Sequence, residues 1–212
     1  MKVENYLRMT AVPFETNGKA SPLKAPKKKL PFITDGEKTV ADSSMIVEHL
    51  KTTYGDSLDA ALSASDRVIA TAFSRLMEEH LYWAIVYSRW IDDAFWPETR
   101  AQLFGGMPAP LRAIVPHLAR KNVRAQLIGH GMGRHTPDEI YGLGKADLTA
   151  LSEFLGEKDF FLGTKPTSVD ATAYAFIANV VVAPMETPLK VHAATLPNLA
   201  AYCARMKAKY YA

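Results

Sequence analysis

Apolar and polar positions change period along this chain, and the change divides it in two. The first part is mixed. Val3, Tyr6 and Leu7, with Thr10 in phase, recur at helical spacing, so the sequence opens in a helix. Val12 to Glu15 reads as a short strand, and 17–29 as a loop with Gly18, Pro22, Pro26 and a cluster of lysines. Phe32 to Thr34 is an apolar run ending at Asp35-Gly36, a hairpin signal, and Thr39 to Ala41 is the returning strand. Asp42 stands where an N-cap belongs, ahead of Met45, Ile46, His49 and Leu50 at helical spacing. That helix runs from Ser43 to about Tyr54 and stops at Gly55.

Asp56 to Ser63 reads as a linker. Beyond it the pattern is helical throughout. Ile69, Phe73, Leu76, His80, Trp83, Tyr87 and Trp90 alternate steps of four and three, one continuous seam. Met77, Leu81, Ala84 and Ile85 widen it, so this helix is buried on two sides in its second half. Further helices are predicted over Pro97–Leu103, Pro108–Ile128, Pro137–Leu155, Thr167–Met185 and Pro197–Lys209. The expected layout is a small α/β unit, residues 1–57, followed by an all-helical bundle, residues 64–212.

Composition narrows the function classes. The chain has 212 residues and is 48% hydrophobic, enough for a sizeable core. A net charge of +3 is too small to imply nucleic-acid binding by itself. A single cysteine, Cys203, excludes an internal disulfide framework and a two-cysteine redox motif; its place beside Tyr202 and Met206 suits a buried small hydrophobe. No run approaches the roughly 20 apolar residues of a membrane span. The most apolar stretch, Ala171–Met185, contains Thr172, Asn179 and Pro184 and suits a buried helix. The opening residues show no signal-peptide core. A soluble, cytoplasmic protein is expected.

The stretch Lys29-Leu30-Pro31-Phe32 through Ala41-Asp42-Ser43 combines a proline opening a strand, a tight hairpin, and an acid with hydroxyls at a helix start. It resembles the glutathione-binding half of the cytosolic glutathione transferases. The stretch Phe161-Leu162-Gly163-Thr164-Lys165-Pro166-Thr167-Ser168-Val169-Asp170 resembles the segment before that family's buried core helix, where Thr-x-x-Asp forms a capping box. The box has a local physical reading too: Thr167 and Asp170 can satisfy each other's backbone N–H groups at the start of a buried helix. This places both in folding, not chemistry. The opening Lys-Val-Glu-Asn-Tyr-Leu-Arg-Met, the Lys-Leu-Pro-Phe-Ile hairpin and Glu78-Glu79-His80-Leu81-Tyr82-Trp83 resemble a bacterial branch related to failed-axon-connections and metaxin proteins.

The resemblance implies a thioredoxin-like α/β domain followed by an all-α helical bundle, glutathione as co-substrate with no metal, and a homodimer. It implies that Leu30-Pro31 is cis, exposing Leu30's backbone to the ligand, with Lys29 near the glycyl carboxylate. Asp42 and Ser43 would hold the γ-glutamyl end, the acid on the ammonium and the helix-start donors on the carboxylate. An electrophile pocket would lie against the long helix, with Tyr82 and Tyr87 as candidate walls; Trp83 and Trp90 are read as core. In the family a strand and a turn carrying Ser, Cys or Tyr precede the first helix. Met1 falls at that helix, so the sequence is expected to begin downstream of the turn, the alternative being that another segment fills the strand's place, and no catalytic residue is assigned. Tyr6, inside the helix, does not match the position.

Other candidates have plainer readings. His80 suits a helix-pair histidine, and Glu78-Glu79-His80 lacks the spacing of a helical metal site. Gly129–His135 follows a helix rather than a strand and lacks Gly-Lys-Ser/Thr, so it reads as a helix end, not a phosphate loop. The expected function is glutathione conjugation to an apolar electrophile, or exchange with a disulfide. The rivals are a non-catalytic binding or assembly module and a polyanion-binding protein using the Lys24–Lys29 loop.

Overall fold

Helix α1 (Lys2–Thr10) turns Val3, Tyr6 and Leu7 inward and ends where Ala11 adopts φ 55°. The computed structural model describes the chain apart from Lys19, Ser21, Leu23, Lys24 and Ala212, so part of the lysine-rich loop, Lys24 included, lies outside the described residues. The expected strand at 12–15 is not formed: these residues join no ladder among the described residues. Strand-like sequence becomes a strand only where a neighbour takes its N–H and C=O groups.

The hairpin forms as expected. β1 (Phe32–Asp35) and β2 (Lys38–Ala41) pair antiparallel, with Phe32 opposite Ala41 and Asp35 opposite Lys38. The two turn residues are therefore Gly36 and Glu37, one position beyond the Asp35-Gly36 reading; Gly36 sits at φ 58°, where a side chain is disfavoured. α2 (Ser43–Tyr54) follows directly. Asp35 ties the turn to this helix: one oxygen meets His49 Nε2 at 2.7 Å and the other accepts from Tyr54 Oη at 2.7 Å. Ile46 and Leu50 of α2 pack with Val3, Tyr6 and Leu7, and Ala171 from the helical part completes that small core.

The remainder is helical. α3 (Ala64–Arg75) starts at a Ser63–Asp66 capping box. It continues through a π-helical segment (Leu76–Leu81), α4 (Tyr82–Val86) and a second π-helical segment (Tyr87–Ile91). The period of side chains alone does not reveal such widened turns. The deepest row is Met77, Leu81, Ala84 and Ile85, while Ile69, Phe73, Leu76, His80, Trp83, Tyr87 and Trp90 form its half-buried flank. Next come α5 (Trp96–Phe104), α6 (Ala109–His130), a 3₁₀ turn (Met132–Arg134) and α7 (Pro137–Leu155). Gly131, at φ 107°, closes α6, in line with reading 129–135 as a helix end. α8 (Ser168–Val181), α9 (Pro188–Ala193) and α10 (Pro197–Tyr210) complete the bundle. α8 stops short of the predicted Met185 because Pro184 removes a donor and restricts the residue before it. The six-residue α9 was too short to show a period.

The main core joins Met77, Leu81, Leu148, Leu151, Phe161, Ile177, Leu199 and Tyr202. At Gly144 of α7 a Cβ would stand 2.8 Å from both Ala84 Cβ and a Leu189 methyl, so glycine permits the close approach of α7 to α4 and α9.

Candidate functional site

The end of the hairpin and the start of α2 meet. Across the ladder's last pair, Asp42 N–H donates to the Pro31 carbonyl at 3.4 Å. The Leu30–Pro31 peptide bond is cis, as expected. Lys29, Leu30 and Pro31 are exposed. Asp42 takes φ 89°, a costly conformation for a residue with a side chain. Its Oδ1 caps α2, accepting from Ser44 N at 2.9 Å and Met45 N at 3.3 Å. Its Oδ2 has no hydrogen-bond partner among the described residues. Ser43, the first residue of the helix, is half-buried. Its hydroxyl makes no hydrogen bond among the described residues, and its amide, in the first turn, has no intrahelical acceptor. Two donors, a free carboxylate oxygen and an outward-facing strand end thus converge on one patch.

Ser44 connects this patch to the helical part. Lys2 Nζ donates to Ser44 Oγ at 3.1 Å and also pairs with Glu78 in the first π-helical segment. Tyr82 lies four residues beyond Glu78, on the same side of the helix. Tyr82 is 42% exposed, and its ring meets Trp83 and Phe176 of α8 edge-on. Tyr87 turns elsewhere, against Tyr141 of α7. The structure therefore does not bring Tyr82 and Tyr87 onto one wall. Trp83 stacks on His130, and Trp90 packs with Trp96 and Phe104.

Thr167 and Asp170 form the capping box at the start of α8. Asp170, fully buried, does more than cap. Its Oδ2 accepts from Thr167 N at 2.8 Å and Thr167 Oγ1 at 2.9 Å, while Oδ1 accepts from Phe161 N at 2.9 Å and Tyr202 Oη at 3.1 Å. Burial, reinforced by this carboxylate, holds the Tyr202 phenol well above its usual range, so it remains a donor.

The main group that sequence reasoning missed is Asp59, inside the supposed linker. It is buried and accepts from Ser168 N at 2.8 Å, from Ser168 Oγ, and from Lys51 Nζ of α2. Arg67 holds its carbonyl at 2.6 Å. Burial pushes the Asp59 carboxyl upward, but Lys51 and Ser168 outweigh burial and hold it below the ordinary carboxylate range. Nothing local marks Asp59, since its partners lie 8 and 109 residues away.

Other titratable groups are structural. His80 meets Asp147 at 2.6 Å across the packing of the long helix on α7. The Tyr6 hydroxyl is buried with no partner among the described residues, and burial with nearby Asp56 and Asp59 pushes it up to about 12. Among the described residues, no group of three or more His, Cys, Asp or Glu could hold a metal, and no helix is long and apolar enough to cross a membrane. Cys203 is buried, and burial pushes its thiol up to about 12, which suppresses the reactive thiolate at neutral pH. The folded protein should therefore react with a thiol-specific reagent only after denaturant is added. Prompt stoichiometric labelling of the native protein would show that Cys203 is accessible after all.

A thioredoxin-like half, in which a hairpin runs straight into a side-chain-capped helix, followed by a helical bundle, defines a class of protein. Residues 1–95 match the glutathione S-transferase N-terminal domain family and residues 144–206 the glutathione S-transferase C-terminal domain family. The chain belongs to the glutathione S-transferase family. It is 38% identical to the isoprene-epoxide–glutathione S-transferase of Rhodococcus sp. (strain AD45), over 99% of this chain and 90% of that relative. It is 30% identical to Failed axon connections of Drosophila melanogaster and 31% identical to human Metaxin-1, each over 100% of this chain. It spans about half of those two relatives, 53% and 47% of their lengths. Among solved structures, the β-etherase LigF of Sphingobium sp. strain SYK-6 superposes with a TM-score of 0.69 at 17% identity, over 98% of this chain and 89% of that one. A glutathione S-transferase of Methylobacterium radiotolerans, in complex with glutathione sulfonate, gives 0.59 at 19%, covering 98% and 84%. These likenesses show the fold.

Proposed function

We propose that this protein binds glutathione with residues 1–57 and conjugates it to an apolar electrophile, or exchanges it with a disulfide, at the face of the helical part, 64–212. The observation that carries this reading is the patch at Asp42-Ser43, where first-turn donors and a free carboxylate oxygen lie beside the exposed Leu30-Pro31 strand end. Glutathione offers the matching groups. Its γ-glutamyl carboxylate suits Ser43's hydroxyl and amide, and its ammonium suits Asp42 Oδ2. Leu30's backbone exchanges hydrogen bonds with the cysteinyl unit, and Lys29 meets the glycyl carboxylate. The similarity to a glutathione transferase acting on an epoxide supports an electrophile as acceptor. Tyr82 with Phe176 is the apolar wall we assign to it; Tyr87, turned toward α7, is the weaker candidate. A cytoplasmic homodimer is part of the same proposal and rests on the family. The similarity to Metaxin-1 and Failed axon connections favours a second reading, a non-catalytic binding or assembly module.

Calorimetric titration with glutathione tests the site. Ser43→Ala removes one hydroxyl and keeps the backbone donors, so it should weaken binding by about 0.5–1.5 kcal/mol. Asp42→Ala removes a charge partner and a helix cap, so it should weaken binding more and also lower stability. Equal affinity in wild type and the double variant would sink the site. Glutathione binding without loss of free thiol when an epoxide is added would move the conclusion to the non-catalytic module.

A further inference from the structure

Between the two matched family regions, 1–95 and 144–206, the chain makes an excursion through α5 and α6. Its composition is one-sided. Residues 99–137 hold six of the chain's 25 lysines and arginines and none of its 22 acids, so without them the net charge of +3 would become −3.

α6 is seated by one side. Pro116 and Leu127 are buried, and Arg120 reaches inward to the carbonyls of Trp90 at 2.8 Å and Ile91 at 2.9 Å. The opposite side is apolar and open. Leu111, Ile114 and Leu118 are 53%, 59% and 61% exposed. Their spacing of three and four puts them in one row about 10 Å long. Exposed Ile128, two turns beyond Lys121, lies on the Lys121 side of the helix and not in the row. At 100° per residue, Arg112 borders the row on one side and His117, Lys121 and Arg124 on the other. Lys121 and Arg124 are exposed and make no ion pair among the described residues.

We propose that α6 docks on an anionic phospholipid bilayer, lying flat with Leu111, Ile114 and Leu118 at the acyl boundary and the basic borders among the headgroups. An exposed apolar row between basic edges, with no acid, is the pattern of an interfacial helix. A second copy fits worse, because pairing α6 with itself sets basic edges against each other. A nucleic acid would meet the charges but leave the leucines in water, and the row carries no aromatic ring for a base to stack on.

Co-sedimentation of the full chain with vesicles tests this. On phosphatidylcholine vesicles containing about one-third phosphatidylglycerol the protein should bind, falling about tenfold on pure phosphatidylcholine and falling again as salt is raised. Ile114→Asp/Leu118→Asp should lose binding to the anionic vesicles by about tenfold or more. Lys121→Glu/Arg124→Glu should lose the preference for them. All four side chains face solvent, so both variants should keep the wild-type melting curve; should the aspartate pair disturb folding, the charge-reversal pair alone carries the test. Equal binding to neutral and anionic vesicles, or none to either, would overturn the proposal. So would a chain whose Ile114→Asp/Leu118→Asp variant keeps its anionic binding, which would mark a simple polyanion site. A wild-type dimer that the same variant splits, with no vesicle binding, would reassign the face to a second copy. Glutathione affinity is measured separately, and its loss or retention leaves this outcome untouched.

Discussion

Asp170→Ala is expected to destabilise the folded chain by about 2–4 kcal/mol, because it leaves several buried neutral donors without an acceptor, at about 1–3 kcal/mol for each one left unsatisfied. A lost helix cap by itself costs only about 0.5–2 kcal/mol. The larger figure follows from what the carboxylate collects. Two of its four donors belong to Thr167, one to the backbone of Phe161, and one to Tyr202 of α10. Alanine would leave those groups without their acceptor in a place water does not reach. It would also release the loop before α8 from the helix it feeds. Asp170→Asn, keeping one acceptor oxygen, should fall between. Urea melts measure this, with ligand binding followed in parallel. Full stability together with lost glutathione binding would mean that Asp170 serves the ligand and not the core.

The second large effect is expected at Asp59. Asp59→Ala should cost about 2–4 kcal/mol, because the first amide of α8 would lose its acceptor and the half-buried Lys51 ammonium would keep only Asp56, at 3.8 Å. The pH dependence has a definite sign. In the unfolded chain this carboxyl titrates near the ordinary value of about 4, and in the folded protein it lies lower. As pH falls the unfolded state therefore takes up the proton first. Stability from this group is complete above the unfolded value and drains away as pH falls through the folded one. Asp59→Asn should flatten that part of the acid limb. Urea midpoints measured between neutral and acid pH decide it, and an unchanged acid slope in Asp59→Asn would refute the assignment.

What could be read from the sequence was local. The hairpin, the Asp42 cap, the capping box at Thr167 and most helix limits follow from groups within four residues of one another. Such groups leave a signature because turn and cap chemistry is short-ranged. The misreadings share a cause. Residues 12–15 have strand-like composition, but pairing depends on a neighbour. The long seam from Ile69 to Trp90 shows a helix, but not its two widened turns, nor that Tyr82 would look to α8 and Tyr87 to α7. Asp59 looked like linker because its partners come from two other helices.

The tie between Asp35 and α2 has a mechanical consequence. Strand β1, the turn, β2 and the helix form a chain that returns on itself where His49 and Tyr54 grip Asp35. The result is a closed brace, with the Pro31–Asp42 contact at one end and the carboxylate grip at the other. A two-stranded sheet alone would flex. Braced in this way, its open end cannot splay from the helix without breaking the grip. The donors at Ser43 thus have their spacing set when the chain folds, so that the glutathione proposed to bind there would find the ordering entropy already spent.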